Sequence, residues 1–152
     1  MLCKRRTFSG KLIFIAVLFL LTGSQLPAQQ ATFQVSGEIS FPKTGDLYVQ
    51  LITKEEFDSG KDAGFGIIVA TNPEDMKKGR VLFSFEGVPK GTYGIRCFQD
   101  VNRTGKMEKG LFGPKEPWGT YRPARPMLRA PRFDEISFEV NGDIRDIKIE
   151  LK

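Results

Sequence analysis

Four oxygen-bearing residues near the middle of the chain have the spacing of a cation-binding loop. Asp100, Asn102, Thr104 and Glu108 occupy positions one, three, five and nine of a short segment, and Gly105 occupies position six. Short oxygen side chains at odd positions can wrap around a hard cation, and a glycine at the sixth position permits the sharp turn that this needs. The four residues are therefore candidate metal ligands, and calcium is the candidate ion.

The same segment also suits a hydrogen-bonded turn that holds no ion. Asp and Asn side chains accept hydrogen bonds from nearby backbone amides, and Gly105 can adopt the left-handed conformation. Arg103, Lys106 and Lys109 would repel a cation. Position twelve, where an EF-hand has a bidentate Glu, is Leu111, so the segment is not an EF-hand. The turn is the favoured interpretation, and the calcium site is the alternative.

A second candidate surface lies in residues 118–132, where Arg and Pro are abundant. Between Lys90 and Arg132 the chain carries ten basic residues and three acidic ones. The prolines exclude a regular helix and favour an extended backbone. The favoured interpretation is a solvated loop folded over the domain by Trp118 and Tyr121. The alternative is a contact surface for an anionic partner, such as a phosphate-bearing glycan or an acidic protein. The candidate ligand-binding residues are Trp118, Tyr121, Arg122, Arg125 and Arg129.

The composition excludes several classes of catalysis. The chain contains no His, which removes Ser-His-Asp and Cys-His nucleophile activation and most transition-metal sites. Cys97 lies in an alternating strand pattern, so we expect a buried and inert thiol. We therefore expect no enzyme and no cofactor, with a hydrolase that uses carboxylates only as the alternative.

The first 28 residues predict a signal peptide. Lys4, Arg5, Arg6 and Lys11 precede or flank the apolar run 12–21, which is too short for the roughly 20 residues of a spanning helix. An uncleaved anchor is the alternative. Removal of the peptide lowers the formal charge from +5 to near +1, with 19 basic and 18 acidic residues left. The charge thus gives no support for nucleic-acid binding. We expect an exported protein with no membrane span after processing.

The rest of the chain predicts an all-β fold. Apolar residues alternate with period two in about seven short segments separated by turn signals, and no segment has the period of a helix. We predict a single antiparallel β-sandwich over residues 31–152, in which residues 99–132 form a long basic loop region. The turn Val88–Gly91 predicts a hairpin between the strands on either side, and Asn141-Gly142 predicts a tight turn.

Three sequence blocks together carry a family resemblance. Asp100–Glu108, Gly110–Glu116 and Ala130–Phe138 resemble a family of secreted bacterial proteins known as a domain of unknown function. The similarity runs from about Phe83 to the end of the chain. The strand-turn motif around Val88–Gly91 is also similar to prealbumin-like folds of the carboxypeptidase regulatory type. The resemblance implies an exported bacterial β-sandwich of the periplasm or cell surface, without an established activity. Gln99 stands where the family usually has His.

Taken together, these features predict a non-enzymatic binding or structural component of the bacterial cell envelope. A calcium-stabilised binding module for a glycan or another anionic ligand is the second hypothesis.

Overall fold

The computed structural model describes residues 30–61, 63–111, 113–122, 126 and 129–152. The predicted signal peptide (1–28) and Arg125 lie outside the described residues. Within the described part, no helix is long and apolar enough to cross a membrane.

Strands dominate the described residues. The strands are β1 (Thr32–Ser40), β2 (Asp46–Ile52), β3 (Phe65–Val69), β4 (Arg80–Pro89), β5 (Gly91–Asp100), β6 (Lys109–Gly110), β7 (Gly113–Pro114), β8 (Trp118–Thr120), β9 (Ser137–Val140) and β10 (Ile144–Glu150). The helices are α1 (Lys54–Ser59), α2 (Pro73–Lys78) and α3 (Phe133–Ile136). The seven strands expected from period-two alternation are all present, and β6, β7 and β8 are short additions inside the predicted loop 99–132.

The strands form two main sheets. The first has the order β10-β1-β4, and the second has the order β3-β2-β5-β8 with β9 also paired to β5. Every pair in the second sheet is antiparallel, but β1 and β10 are parallel. The all-β class is therefore confirmed, and the expectation of purely antiparallel pairing is wrong at this one pair. The prealbumin-like sandwich stays a prediction.

The predicted hairpin at Val88–Gly91 is wrong. β4 pairs with β1, whereas β5 pairs with β2, β8 and β9, so the turn carries the chain from one sheet to the other. The hydroxyl of Tyr93 donates a hydrogen bond to the carbonyl of Pro89 at 3.2 Å and satisfies the backbone at this corner. A Pro-Gly turn bends the chain equally well in a hairpin and in a crossing between sheets, so the turn residues alone do not distinguish them.

The three short helices show no helical period in the sequence. α1 and α2 bury no residue, and α3 is only four residues long. Without a buried stripe there is no 3.6-residue period to detect. Caps define the two longer ones. Thr53 forms a capping box with Glu56 at the start of α1, and Asn72 forms one with Asp75 at the start of α2.

One apolar cluster receives side chains from both sheets. Among its fully buried members are Val35 and Ile39 of β1, Val49 of β2 and Ile95 of β5. The two sheets also meet through main-chain bonds along one side. Trp118 N–H donates to the Lys152 carbonyl at 3.1 Å, and Lys152 N–H donates to the Trp118 carbonyl at 3.2 Å. The segment after β5 is thereby tied to the end of the chain.

Gly37 is required where β1 approaches β10. A Cβ atom at this position would overlap the carbonyl oxygen of Ile147, its partner in β10. We predict that Gly37→Ala lowers the free energy of unfolding by about 2 kcal/mol or more, because the paired backbone must move apart. Chemical denaturation measures the change.

Gly66 of β3 provides the matched control, because no atom lies within 4 Å of a Cβ placed there. Gly66→Ala is expected to leave stability unchanged or to raise it slightly, since Ala loses less backbone entropy than Gly on folding. Equal losses in the two variants would contradict a specific overlap at Gly37.

Candidate functional site

The candidate site is the segment 101–117, here called the basic loop, which leads from β5 to β8. It leaves the sheet at Asp100 and returns to it at Trp118, and the two-residue strands β6 and β7 pair within it. Lys115 N–H donates to the Glu108 carbonyl at 2.9 Å and extends this pairing. The loop therefore has a main-chain framework of its own, and its base is held by the second sheet.

Asp100 anchors the first half of the basic loop. Its side chain is buried at the end of β5. One carboxylate oxygen accepts the N–H of Thr104 at 3.0 Å, and the other accepts the N–H of Gly105 at 2.7 Å. Gly105 has a φ of 74°, a left-handed conformation that glycine adopts without strain. Both carboxylate oxygens thus accept hydrogen bonds from the loop's own backbone.

Asn102 and Thr104 continue the same network. The side-chain oxygen of Asn102 lies 3.3 Å from Thr104 N and 3.0 Å from its Oγ1, and that Oγ1 lies 3.2 Å from the Lys106 carbonyl oxygen. Three of the four predicted metal ligands therefore come together in a hydrogen-bonded turn. Within the described residues, no group of three or more His, Cys, Asp or Glu is placed to hold a metal ion. Calcium binding stays a prediction.

Glu108, the fourth predicted ligand, joins the loop through its backbone, and Glu116 has the role of the second anchor. The carboxylate of Glu116 is buried and accepts the N–H groups of Val101 and Glu108, each at 3.3 Å. It therefore ties the two sides of the loop together. Glu116 ends the family block Gly110–Glu116, but its anchoring role is not predicted from the sequence. The signal available was a lone acidic residue between Pro114 and Pro117 in a basic segment.

Gln99, at the position where the family usually has His, is completely buried. Its amide oxygen accepts the N–H of Lys43 at 3.2 Å, and its amide nitrogen donates to the Lys43 carbonyl. The side chain thus pairs with the β1–β2 connection as a backbone peptide would. It satisfies both the backbone N–H and the backbone carbonyl of Lys43. Gln99 is a structural clamp beside the loop base.

The anchoring scheme separates the charges of the basic loop. Asp100 and Glu116 point inward, and Glu108 is half-buried. The basic side chains of the loop are all exposed. They are Arg103, Lys106, Lys109 and Lys115. The surface of the loop is consequently positive, although its sequence contains carboxylates.

The candidate ligand-binding residues Trp118 and Tyr121 lie on different faces of the second sheet. Tyr121 packs against the core, with its ring edge-on to Phe138 at 5.1 Å between ring centroids. Trp118 is in register with Phe98, whose ring stacks on Tyr48 at 4.9 Å. The two residues are three positions apart, and an odd separation in extended chain directs side chains to opposite faces. The outer face therefore carries a row of Tyr48, Phe98 and Trp118.

The predicted arginines have different environments. Arg122 is exposed, with a φ of 58°. Arg129 binds the Glu135 carboxylate through two hydrogen bonds of 2.6 and 2.8 Å. This bidentate contact, with the Arg132 N–H as a second donor, lowers the pKa of Glu135 to about 2. Arg129 is therefore occupied by an internal carboxylate. Arg125 lies outside the described residues.

Cys97 is 2% exposed in the core, and burial raises the pKa of its thiol. The thiolate needed for nucleophilic chemistry is thus disfavoured, in agreement with the expectation of an inert residue.

Residues 40–148, which include the whole basic loop, match the model of a bacterial family described as "Uncharacterized protein conserved in bacteria (DUF2141)". The chain belongs to this family. The resemblance seen in the three sequence blocks is confirmed for DUF2141, since all three blocks lie inside the matched range. No curated protein and no solved structure matches the chain significantly.

The two bonds accepted by Asp100 yield a prediction for the DUF2141 loop. Asp100→Ala is expected to lower the free energy of unfolding by about 1–2 kcal/mol, because the Gly105 N–H loses its acceptor and the Thr104 N–H keeps only the longer contact to Asn102. Hydrogen exchange at the Thr104 and Gly105 amides is expected to accelerate. Denaturation and amide exchange measure the two effects.

Asp58 of α1 is a suitable control, since it is exposed and forms only an i,i+4 ion pair with Lys54. Asp58→Ala should cost under about 0.5 kcal/mol. Unchanged protection of Thr104 and Gly105 in the Asp100 variant would show that the carboxylate does not hold the turn.

Proposed function

We propose that this protein is a non-enzymatic binding protein of the bacterial cell envelope that uses the basic loop to bind a phosphate-bearing glycan. The proposal depends on one observation above all. The carboxylates of Asp100 and Glu116 face inward onto backbone amides, while four basic side chains of the same loop face solvent.

This arrangement suits recognition of an anionic polymer. Lysine presents a point charge to phosphate, and arginine can bind it through two parallel hydrogen bonds. The loop framework fixes the backbone from which Arg103, Lys106, Lys109 and Lys115 project, so less backbone entropy is lost on binding. Several phosphates of one polymer can contact several of these side chains at once, so weak individual contacts combine into a higher affinity.

A binding role is also favoured by the chemistry of the polar groups. The chain has no His, and the Cys97 thiol is buried with a raised pKa. Hydrolysis by carboxylates alone needs one acid and one base facing a substrate. Asp100 and Glu116 instead each accept two backbone N–H groups.

Export to the envelope is supported by the sequence of residues 1–28, with its basic start and short apolar run. A phosphate-bearing polymer is an abundant anionic ligand to expect in that compartment. Periplasm and cell surface are both compatible with the proposal.

The test replaces three lysines of the basic loop. Lys106→Gln, Lys109→Gln and Lys115→Gln combined should weaken binding to polyphosphate by about tenfold or more, because each lost phosphate contact also removes counterion release. The loss should shrink as salt is raised. Fluorescence anisotropy with labelled polyphosphate, and an uncharged glucan as comparison, measures this.

A control variant carries the same charge change elsewhere. Lys77→Gln, Lys78→Gln and Lys90→Gln replace three exposed lysines outside the loop and should bind as the unchanged protein does. If both triple variants lose the same affinity for polyphosphate, the effect is due to net charge, and a binding site in the basic loop is contradicted. Competition by polyglutamate as effective as by polyphosphate would favour an acidic protein partner instead.

The calcium-stabilised module is tested in the same assay. If calcium holds the loop, a chelator will weaken polyphosphate binding and lower the melting temperature, and added calcium will restore both. We expect neither to change, because the Asp100 oxygens already accept two backbone N–H groups.

A further inference from the structure

The strand β3 forms an open edge of the second sheet. It stands at the end of the order β3-β2-β5-β8, and within the described residues its ladder is formed with β2 alone. The ladder runs without a register shift from Leu47–Val69 to Leu51–Phe65. The side of β3 that faces away from β2 therefore offers backbone donors and acceptors in a regular strand geometry.

β3 lacks the features that usually protect an edge. Its sequence, Phe-Gly-Ile-Ile-Val, contains no charge and no proline. The other sheet has two edge strands. One, β4, carries Arg80 and Glu86, ends at Pro89 and pairs with β1 across a register irregularity, and the other, β10, also carries charged residues. Charges, prolines and bulges are the devices by which proteins prevent pairing at exposed edges. β4 and β10 have such devices and β3 has none, so β3 is better suited than either of them to accept a partner.

The exposed face of β3 has a shape that fits a second copy of itself. The large apolar side chain of Ile68 is 61% exposed. Two residues earlier on the same face, Gly66 has open space above it. An antiparallel pair centred on Ile67 sets Ile68 of each copy opposite Gly66 of the other. Ile68 of each copy then fills the space above Gly66 of the other copy, once on each side of the two-fold axis.

The other face and the charges are also compatible with self-pairing. Phe65, Ile67 and Val69 are half-buried and already lie toward the core. Pairing would cover their remaining exposed area with the same three residues of a second copy. Because β3 carries no charge, the arrangement brings no like charges together.

We propose that two copies of this chain associate through β3, antiparallel and centred on Ile67, so that their second sheets become one continuous sheet. A two-fold interface uses the same surface on both copies, as the Ile68–Gly66 fit requires. A single strand pair with its side chains buries less than the roughly 1,200 Å² typical of stable complexes. The dimer is therefore weak and concentration-dependent.

The first experiment measures association by sedimentation velocity over a wide range of protein concentrations. The unchanged protein should shift from monomer to dimer as concentration rises. Ile68→Lys should raise the dissociation constant at least tenfold, since it sets a charge against the partner's Gly66 and repeats it across the axis. Thermal melting of each variant verifies that the fold is retained.

Leu82→Lys is the matched control. Leu82 is 74% exposed on β4, outside the proposed interface, so the same change of residue type should leave association intact. A protein that is monomeric at every concentration, or a dimer that is equally sensitive to both substitutions, would overturn the proposal.

The second experiment tests the register of the β3–β3 pairing by disulfide cross-linking, and its result does not depend on measuring a weakened association. In the proposed pairing Ile67 faces itself, so Ile67→Cys should form a disulfide-linked dimer under mild oxidation. Ile68→Cys should do so much less, because it faces Gly66. The unchanged protein in the same oxidant controls for its own cysteines. Preferential cross-linking through position 68 would exclude the proposed register.

Discussion

The fold depends on one apolar core that neither sheet can complete alone. The chain changes sheet between β1 and β2, between β3 and β4, between β4 and β5, and between β9 and β10, so most turns join strands that do not pair with each other. Each sheet is consequently assembled from segments far apart in sequence, and both contribute side chains to the same apolar cluster. The strands of both sheets must therefore alternate apolar and polar residues, because each strand directs its apolar side chains to the shared core.

This arrangement explains why polar contacts concentrate at the end of β5. β5 is central in the second sheet and leaves it at Asp100, where the chain must travel through solvent before returning as β8. Buried side chains with hydrogen-bonding groups hold the segment there. Gln99 binds the β1–β2 connection, and Asp100 and Glu116 bind the loop itself. Buried polar groups of this kind specify one geometry because every unmet bond is costly.

Local patterns in the sequence predict the strands and fail to predict their partners. Val35, Ile39, Val49 and Ile95 reveal their strands because period-two alternation is a local property. The pairing of β10 with β1 joins residues more than one hundred positions apart, and nothing in either segment encodes its parallel direction. The residues of the candidate site differ in the same way. Asp100 is visible from its spacing to Asn102 and Gly105, whereas Glu116 acquires its role only when the chain folds back onto Val101.

The spacing that suggests a cation site and the spacing that forms the turn have a common physical origin. A carboxylate followed by Asn, Thr and Gly at these intervals curls the backbone around the carboxylate, and either a cation or a set of N–H dipoles can occupy the centre. In this chain the N–H groups of Thr104 and Gly105 occupy it. The negative charge is then satisfied internally. The side chains of Arg103, Lys106 and Lys109 are exposed beside it, so their charge is directed outward. A loop that resembles a site for a cation is in this way converted into a surface suited to an anion.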